Sequence, residues 1–264
     1  MLHHKVYDTV SDAPWVVFLH GAGGSSSIWA AQLRSFSRRY RVLLVDLRGH
    51  GGSLHAPGIE PVETYDFSLI AADVIEVLDH VGIQSAHFVG VSLGTILIRE
   101  LQNTDPGRFL SVVHSGAIVR LDLFSRFLIA SGHLLKPVVP FYWLYSLFAW
   151  IIMPGGHQRE TRAFFRREAS RIPQKEFLRW FELTKSVHRV LDRFQSGQDP
   201  VPTLFVMGER DYMFLGDVER LCHARAEYRL HRIPGCGHVC NVEAPSAFNV
   251  AALAFLADIG SRTA

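Results

Sequence analysis

Cysteine is scarce in this chain, with Cys222, Cys236 and Cys240 the three present among 264 residues. So few, and an odd number, suit a reducing compartment better than a disulfide framework. An excess of one charge is also missing. Lys and Arg total 27 against 25 Asp and Glu, a net +2 at pH 7 with His neutral. A field that weak argues against nucleic acid as the main partner, because binding a polyanion needs clustered cations. Lysine itself is nearly absent, 4 residues against 23 arginines. No apolar run is long enough to span a bilayer: the longest, "VVPFYWLYSLFAWIIMP" (138–154), is interrupted by Pro140 and falls short of about 20 residues. The N-terminus has no charged segment leading into a long apolar stretch with a small-residue cleavage site. A cytoplasmic protein without a signal peptide is therefore expected. Internal repeats and low-complexity segments are lacking too.

What is present is enough for a full core. With 48% hydrophobic and 20% charged residues, the chain can bury one α/β core carrying an insertion. Short β-rich runs at 15–20, 41–46, 86–91, 110–117, 203–209 and 228–235 read as strands, several apolar on both faces as in a covered parallel sheet. "KVYD" near the start reads as one more edge strand. Helical patterns alternate with them at about 26–38, 66–81, 93–103, 216–224 and 245–258. That alternation predicts a doubly wound, mostly parallel α/β sheet. Residues 119–199 break it: they contain no convincing strand, and their helices are punctuated by Pro137, Pro140, Pro154 and Pro173. An excursion of this kind predicts an all-helical cap inserted between core segments 1–118 and 200–264.

"GVSLG" (90–94) places Ser92 at a strand-to-helix junction, flanked by glycines where side chains would collide with a tight turn. "MGERD" ends at Asp211 and "PGCGH" at His238, each just past a strand's carboxyl end, where open α/β sheets bind ligands. Serine is a poor nucleophile at neutral pH. It needs an imidazole to take its proton, and the imidazole needs a carboxylate to fix its tautomer. The order serine, acid, histidine is the one expected of such a sheet.

With "HGAGGSSSIW" (20–29) and "DLRGHGGS" (46–53), these motifs resemble the α/β-hydrolase superfamily over essentially the whole chain. The resemblance implies Ser92 as nucleophile, Asp211 as acid and His238 as base. It implies the N–H groups of Ala22 and Leu93 as oxyanion donors, no cofactor, and a cap that follows the sixth core strand. The expected activity is hydrolysis of an ester, lactone or thioester of a rather apolar acid through an acyl-enzyme. The rivals are C–C bond hydrolysis, acyl transfer to another acceptor, and a receptor that binds without turnover. Serine at 92 disfavours a dehalogenase or epoxide hydrolase, and Val239 after the histidine weakens the C–C reading.

Other residues are weighed against this site. Phe141, Trp143, Tyr145 and His114 are the expected substrate-binding residues; the rest of the apolar cap is expected to pack on itself and the sheet, with some exposed surface open to lipid or a second subunit. Cys236, His238 and Cys240 have a metal-like spacing, but His238 is needed by the triad, so no metal is expected. His20, Asp46 and His50 read as loop-bracing. Asp199 is the weaker rival for the acid, and Glu243 organises the start of the last helix. Arg159, Arg162, Arg166, Arg167 and Arg171 read as a solvated helix face.

Overall fold

The computed structural model describes residues 1–60, 62–196 and 201–263. A seven-stranded sheet forms its centre: β1 (His4–Tyr7), β2 (Trp15–Leu19), β3 (Arg41–Val45), β4 (Ala86–Val91), β5 (Phe109–Ser115), β6 (Thr203–Gly208) and β7 (Tyr228–Ile233). Its order is β1-β3-β2-β4-β5-β6-β7, with β1 antiparallel at the edge and every other pairing parallel. The "KVYD" edge strand is thus β1. Alternation along each strand feeds two cores: Val17 and Leu19 of β2 join one, Val16 and Phe18 the other.

Helices cover both faces. Helices α1 (Ala30–Phe36) and α2 (Phe67–Val81) flank β3, and α3 (Leu93–Thr104) leaves β4 directly. Helix α2 starts where the Asp66 carboxylate accepts Leu69 N–H at 2.7 Å, and ends at Gly82 with φ 78°. Between these caps Ile70, Val74, Val77 and Leu78 form its buried stripe.

Between β5 and β6 the described residues form five α-helices: α4 (Leu123–Leu135), α5 (Phe141–Ile152), α6 (Arg159–Ala169), α7 (Gln174–Glu182) and α8 (Val187–Ser196). The excursion therefore leaves after the fifth strand of seven, whereas a sixth had been expected. The sheet contains one strand fewer ahead of it than the resemblance implied. Helices α9 (Leu215–Ala224), α10 (Cys240–Glu243) and α11 (Pro245–Thr263) complete the chain. Among the described residues no helix is long and apolar enough to cross a membrane.

Candidate active site

Ser92 stands where β4 becomes α3 with no residue between. Its φ of 52° and ψ of −117° lie where a non-glycine residue pays of order 1–3 kcal/mol. Ser92 N–H donates to Ser115 O at 3.0 Å, and Thr95 N–H donates to Ser92 O at 2.9 Å, which holds the bend. The flanking glycines are required by close approach. A Cβ on Gly90 would lie 2.6 Å from Ile98 Cδ1, and one on Gly94 would overlap Leu19 O.

Asp211 follows β6 and His238 follows β7, so the parallel register brings both to the same sheet edge as Ser92. His238 Nδ1 lies 2.8 Å from Asp211 Oδ2, and Nε2 lies 3.1 Å from Ser92 Oγ. An ionised carboxylate only accepts, so Nδ1 donates to it and the Nε2 lone pair faces the serine hydroxyl. Asp211 and His238 are 1% and 3% exposed, which removes competing water from both. Phe214 packs beside the imidazole at 5.1 Å between ring centres, and its N–H donates to Asp211 Oδ1 at 3.3 Å.

Two glycines that the sequence reading passed over make room for this loop. Gly116, with φ 51°, has no space for a side chain because a Cβ would overlap His238 O. A Cβ on Gly208 would overlap Gly237 O. Both stand at or just past the carboxyl end of a strand, which is the signal by which they were findable.

The "HGAGG" loop faces the serine from β2. Gly23 N–H donates to His50 Nε2 at 3.1 Å and Gly24 N–H to Gly21 O at 3.1 Å. That leaves Ala22 N–H without a partner among the described residues. Leu93 N–H opens α3 and is one of the amides a helix start leaves unbonded. His20 and His50 brace this loop as expected. His20 Nε2 accepts Leu47 N–H at 3.0 Å, so its Nδ1 donates to Gly21 O at 2.8 Å. His50 Nε2 is an acceptor, so its Nδ1 donates to Arg48 O at 3.0 Å. Burial, together with neighbouring His20, pushes His50 down to about 3, which keeps it neutral and able to accept. Asp46 accepts Ser26 N–H at 2.6 Å and Gly52 N–H at 2.9 Å. Burial opposes its charge, but these amides outweigh that and hold its pKa below the usual carboxylate value.

Above Ser92 lies a cavity of about 280 Å³. Its far wall is apolar, with Leu128, Ile129, Phe148, Ile152, Phe177 and Phe181 contributed by helices between β5 and β6. Ser92, His238, Ala22 and Leu93 lie at its floor. Of the four expected substrate-binding residues, Tyr145 lines this cavity and its hydroxyl donates to Ala22 O at 3.2 Å. The other three do not line it. Trp143 is 65% exposed on the outer face of α5. Phe141 turns against Phe177, with ring centres 5.3 Å apart. His114 is buried within the sheet's core between Phe194 and Phe205, at 5.6 and 5.1 Å between ring centres. The strand's period of two sends it there.

Among the remaining candidates, Glu243 holds the histidine loop as well as closing α10: it accepts Gly237 N–H and Val239 N–H at 2.8 and 3.0 Å. Two of the α6 arginines serve as clamps rather than as a solvated face. Arg162 donates to Met153 O and to Gly155 O, and Arg166 donates to Ser146 Oγ at 3.0 Å. Cys240 Sγ sits 3.7 Å from Val206 O in the buried core. Asp199 lies outside the described residues.

Comparison with known proteins bears on this arrangement. A 3-oxoadipate enol-lactonase 2 of Acinetobacter baylyi is 25% identical over 244 residues, covering 90% of this chain and 87% of its own. A putative carbamate hydrolase RutD of Pseudomonas syringae pv. syringae is 25% identical over 263 residues, covering 93% and 95%. The solved enol-lactonase of Burkholderia xenovorans LB400 shares the fold, with TM-score 0.79 at 22% identity over 97% of this chain and 96% of that one. Residues 16–252 match the profile described as the alpha/beta hydrolase family, a span that holds the sheet from β2 onward and every residue of the site, and the chain belongs to that family.

Proposed function

We propose that this protein is a serine hydrolase that cleaves an ester or lactone of an apolar carboxylic acid through an acyl-enzyme on Ser92. One observation carries the reading: the hydrogen-bonded line Ser92–His238–Asp211 at the floor of an apolar cavity. Ser92 Oγ attacks the substrate carbonyl carbon as its proton passes to His238 Nε2. Asp211, accepting from Nδ1, stabilises the imidazolium that forms. The amides of Ala22 and Leu93 are the donors for the oxyanion, each worth about 2.7–4 kcal/mol in the transition state. His238 then returns its proton to the leaving oxygen, and a water it deprotonates releases the acid.

In this reading residues 119–199 are a cap whose inner face receives the acyl or ring group. The wall offers that group dispersion contact and exclusion of water but almost no hydrogen bonds, which supports an apolar acid over a polar one. The names of the relatives, an enol-lactonase and a putative carbamate hydrolase, support acyl chemistry at an oxygen-bearing carbonyl. Free thiols at Cys222, Cys236 and Cys240 support a reducing compartment, the cytoplasm.

The test is hydrolysis of p-nitrophenyl esters from acetate to palmitate, wild type beside Ser92→Ala. Turnover with a maximum at some chain length, abolished in the variant with unchanged folding, is the expected result. Turnover that persists in Ser92→Ala, or none at any length or with a lactone series, would overturn it.

A further inference from the structure

Helices α4 and α5 are apolar on two faces. Helix α4 turns Ser125, Leu128 and Ile129 to the cavity, while Leu123, Phe127 and Leu134 are 85%, 66% and 79% exposed. Those three recur at i, i+4 and i+11, one helical stripe. Helix α5 turns Tyr145, Phe148 and Ile152 inward, while Trp143, Leu147 and Trp150 are 65%, 47% and 58% exposed at i, i+4 and i+7. Residues 136–140 join the two helices, and Val138, 78% exposed, continues the apolar surface from Leu134 to Trp143. Single exposed hydrophobes need no explanation, but nine large ones on one helical hairpin, Phe124 and Leu135 included, mark an interaction surface.

Charge decides what covers it. From Leu123 to Arg159 the sequence has no Asp or Glu, and it carries Arg126, Lys136 and Arg159. Lys136 is paired with Glu182, but Arg126 is exposed and donates to a neutral carbonyl, Leu121 O, at 3.1 Å. Arg120, just before the hairpin, is 61% exposed and reaches Asp217 only at 4.0 Å, and the one exposed carboxylate beside it, Asp122, is engaged as the α4 cap by Ser125 N–H at 2.7 Å. A second copy of this chain would set the same face, with its cations in excess, against itself in a two-fold contact. A bilayer with anionic headgroups complements both features, since the apolar side chains enter the acyl boundary and the cations meet the headgroups. Tryptophans such as Trp143 and Trp150 favour that interfacial level.

We propose that the α4–α5 hairpin is a docking surface for a bilayer containing anionic lipid, with Phe127, Leu134, Val138 and Trp143 entering the headgroup–acyl boundary. The inner faces of the same helices line the cavity above Ser92. A lipophilic ester dissolved in the bilayer is thereby held beside the wall of the proposed acyl site. That consequence rests on the hydrolase reading, whereas the docking does not.

The experiment is sedimentation of the full chain with vesicles of phosphatidylcholine alone and of phosphatidylcholine mixed with phosphatidylglycerol. At low salt, partition into the anionic vesicles is expected to be at least about tenfold tighter, and to weaken as salt is raised. The double variant Leu134→Asp with Val138→Asp is expected to lose sedimentation while retaining its thermal midpoint and its turnover of a water-soluble short-chain ester. Ser92→Ala is expected to sediment like the wild type, so loss of the hydrolase reading would leave this result standing. Failure to sediment with either vesicle would overturn the proposal, as would binding that survives the double variant. A concentration-dependent dimer that the double variant dissolves, with no vesicle binding, would assign the face to a second copy instead.

Discussion

Glu243 grips the chain on both sides of His238. Its Oε2 accepts Gly237 N–H at 2.8 Å, and its Oε1 accepts Val239 N–H at 3.0 Å. Gln158, from the turn that leads into α6, donates to the same Oε1 at 3.1 Å. The imidazole thus takes its position from a carboxylate that never touches it, and that carboxylate is tied in turn to the helical excursion.

Glu243→Gln should therefore lower kcat while leaving KM nearly unchanged. A glutamine has one acceptor oxygen where two amides need one each, so its NH2 group would face an N–H and push the loop away. Misplacing a reacting group by about 1 Å costs on the order of a hundredfold, and a fall of ten- to a hundredfold in kcat is expected here. Steady-state kinetics on the best p-nitrophenyl ester measures it. An unchanged kcat would show that Asp211 and Ser92 hold the imidazole unaided.

Gly116 and Gly235 form a matched pair for separating strain from collision. Both have positive φ, 51° and 70°, yet nothing lies within 4 Å of a Cβ placed on Gly235, whereas one on Gly116 would overlap His238 O. Gly235→Ala should cost about 1–2 kcal/mol of stability, the ordinary penalty of a left-handed residue, and keep its activity. Gly116→Ala should lose activity by about a hundredfold or more, because the displaced backbone is that of His238 itself. Urea midpoints and turnover on the same samples distinguish the two. Equal activity in both would mean the histidine loop yields without consequence.

The sheet and the site motifs were legible in the sequence for a common reason. Strand runs such as 86–91 and 203–209 are apolar on both faces, and Ser92 and Asp211 sit just past them, while His238 follows the more polar edge strand 228–233. Parallel pairing then brings the three to one edge without further instruction. Which side of α5 faces the cavity was not legible, because Phe141, Trp143, Tyr145 and Phe148 are equally apolar. Packing decided it: Phe177 takes up Phe141, and Phe148 lies along Phe181 at 6.0 Å between ring centres. Those partners are some thirty residues distant, beyond the reach of any local pattern. His114 misled for a simpler reason, since a strand position beneath the excursion points into the sheet's core as readily as out of it. Glu243 was tied to the helix start, and its hold on His238 follows from loop geometry that spacing alone does not specify.

Phe148→Ala should lengthen the acyl chain that the cavity prefers. The ring is part of the apolar wall and abuts the position where Gly132 has no side chain: a Cβ there would lie 2.8 Å from Phe148 Cζ. Removing it extends the space toward α4, with a stability cost below the usual 3–5 kcal/mol of a fully buried Phe→Ala change, since the ring already faces a cavity. The readout is kcat/KM across the p-nitrophenyl series, whose maximum should move to longer chains. A maximum that stays in place, with all lengths reduced equally, would show that the acyl group lies elsewhere.

Stability should fall steeply as pH drops below about 6.5, because buried histidines are folded into places that refuse a proton: burial lowers His20, and three others are lowered further. Burial pushes His50 down to about 3, with neighbouring His20 adding to it. Burial and then the Arg99 charge push His114 down to about 3, and burial alone brings His87 to about 4. In the unfolded chain each returns to about 6.5, so above that pH both states are neutral and folding is unaffected. Between about 6.5 and 4 the unfolded chain gains up to three protons that the folded one does not, and stability is lost as pH falls. At full separation the slope approaches about 1.4 kcal/mol per pH unit per histidine, roughly 4 for the three together. Integrated from pH 6.5, the three together remove roughly 6 kcal/mol by about pH 5 and roughly 10 by about pH 4, against the about 5–15 kcal/mol of ordinary domains, so acid unfolding is expected between about pH 5 and 4. Urea unfolding at a series of pH values gives the slope directly. His87→Gln, which keeps an amide to meet the Ser111 hydroxyl that now lies 2.7 Å from Nδ1, should reduce it by about one proton. A flat profile from pH 6.5 to 5 would mean that these imidazoles open to solvent before the fold does.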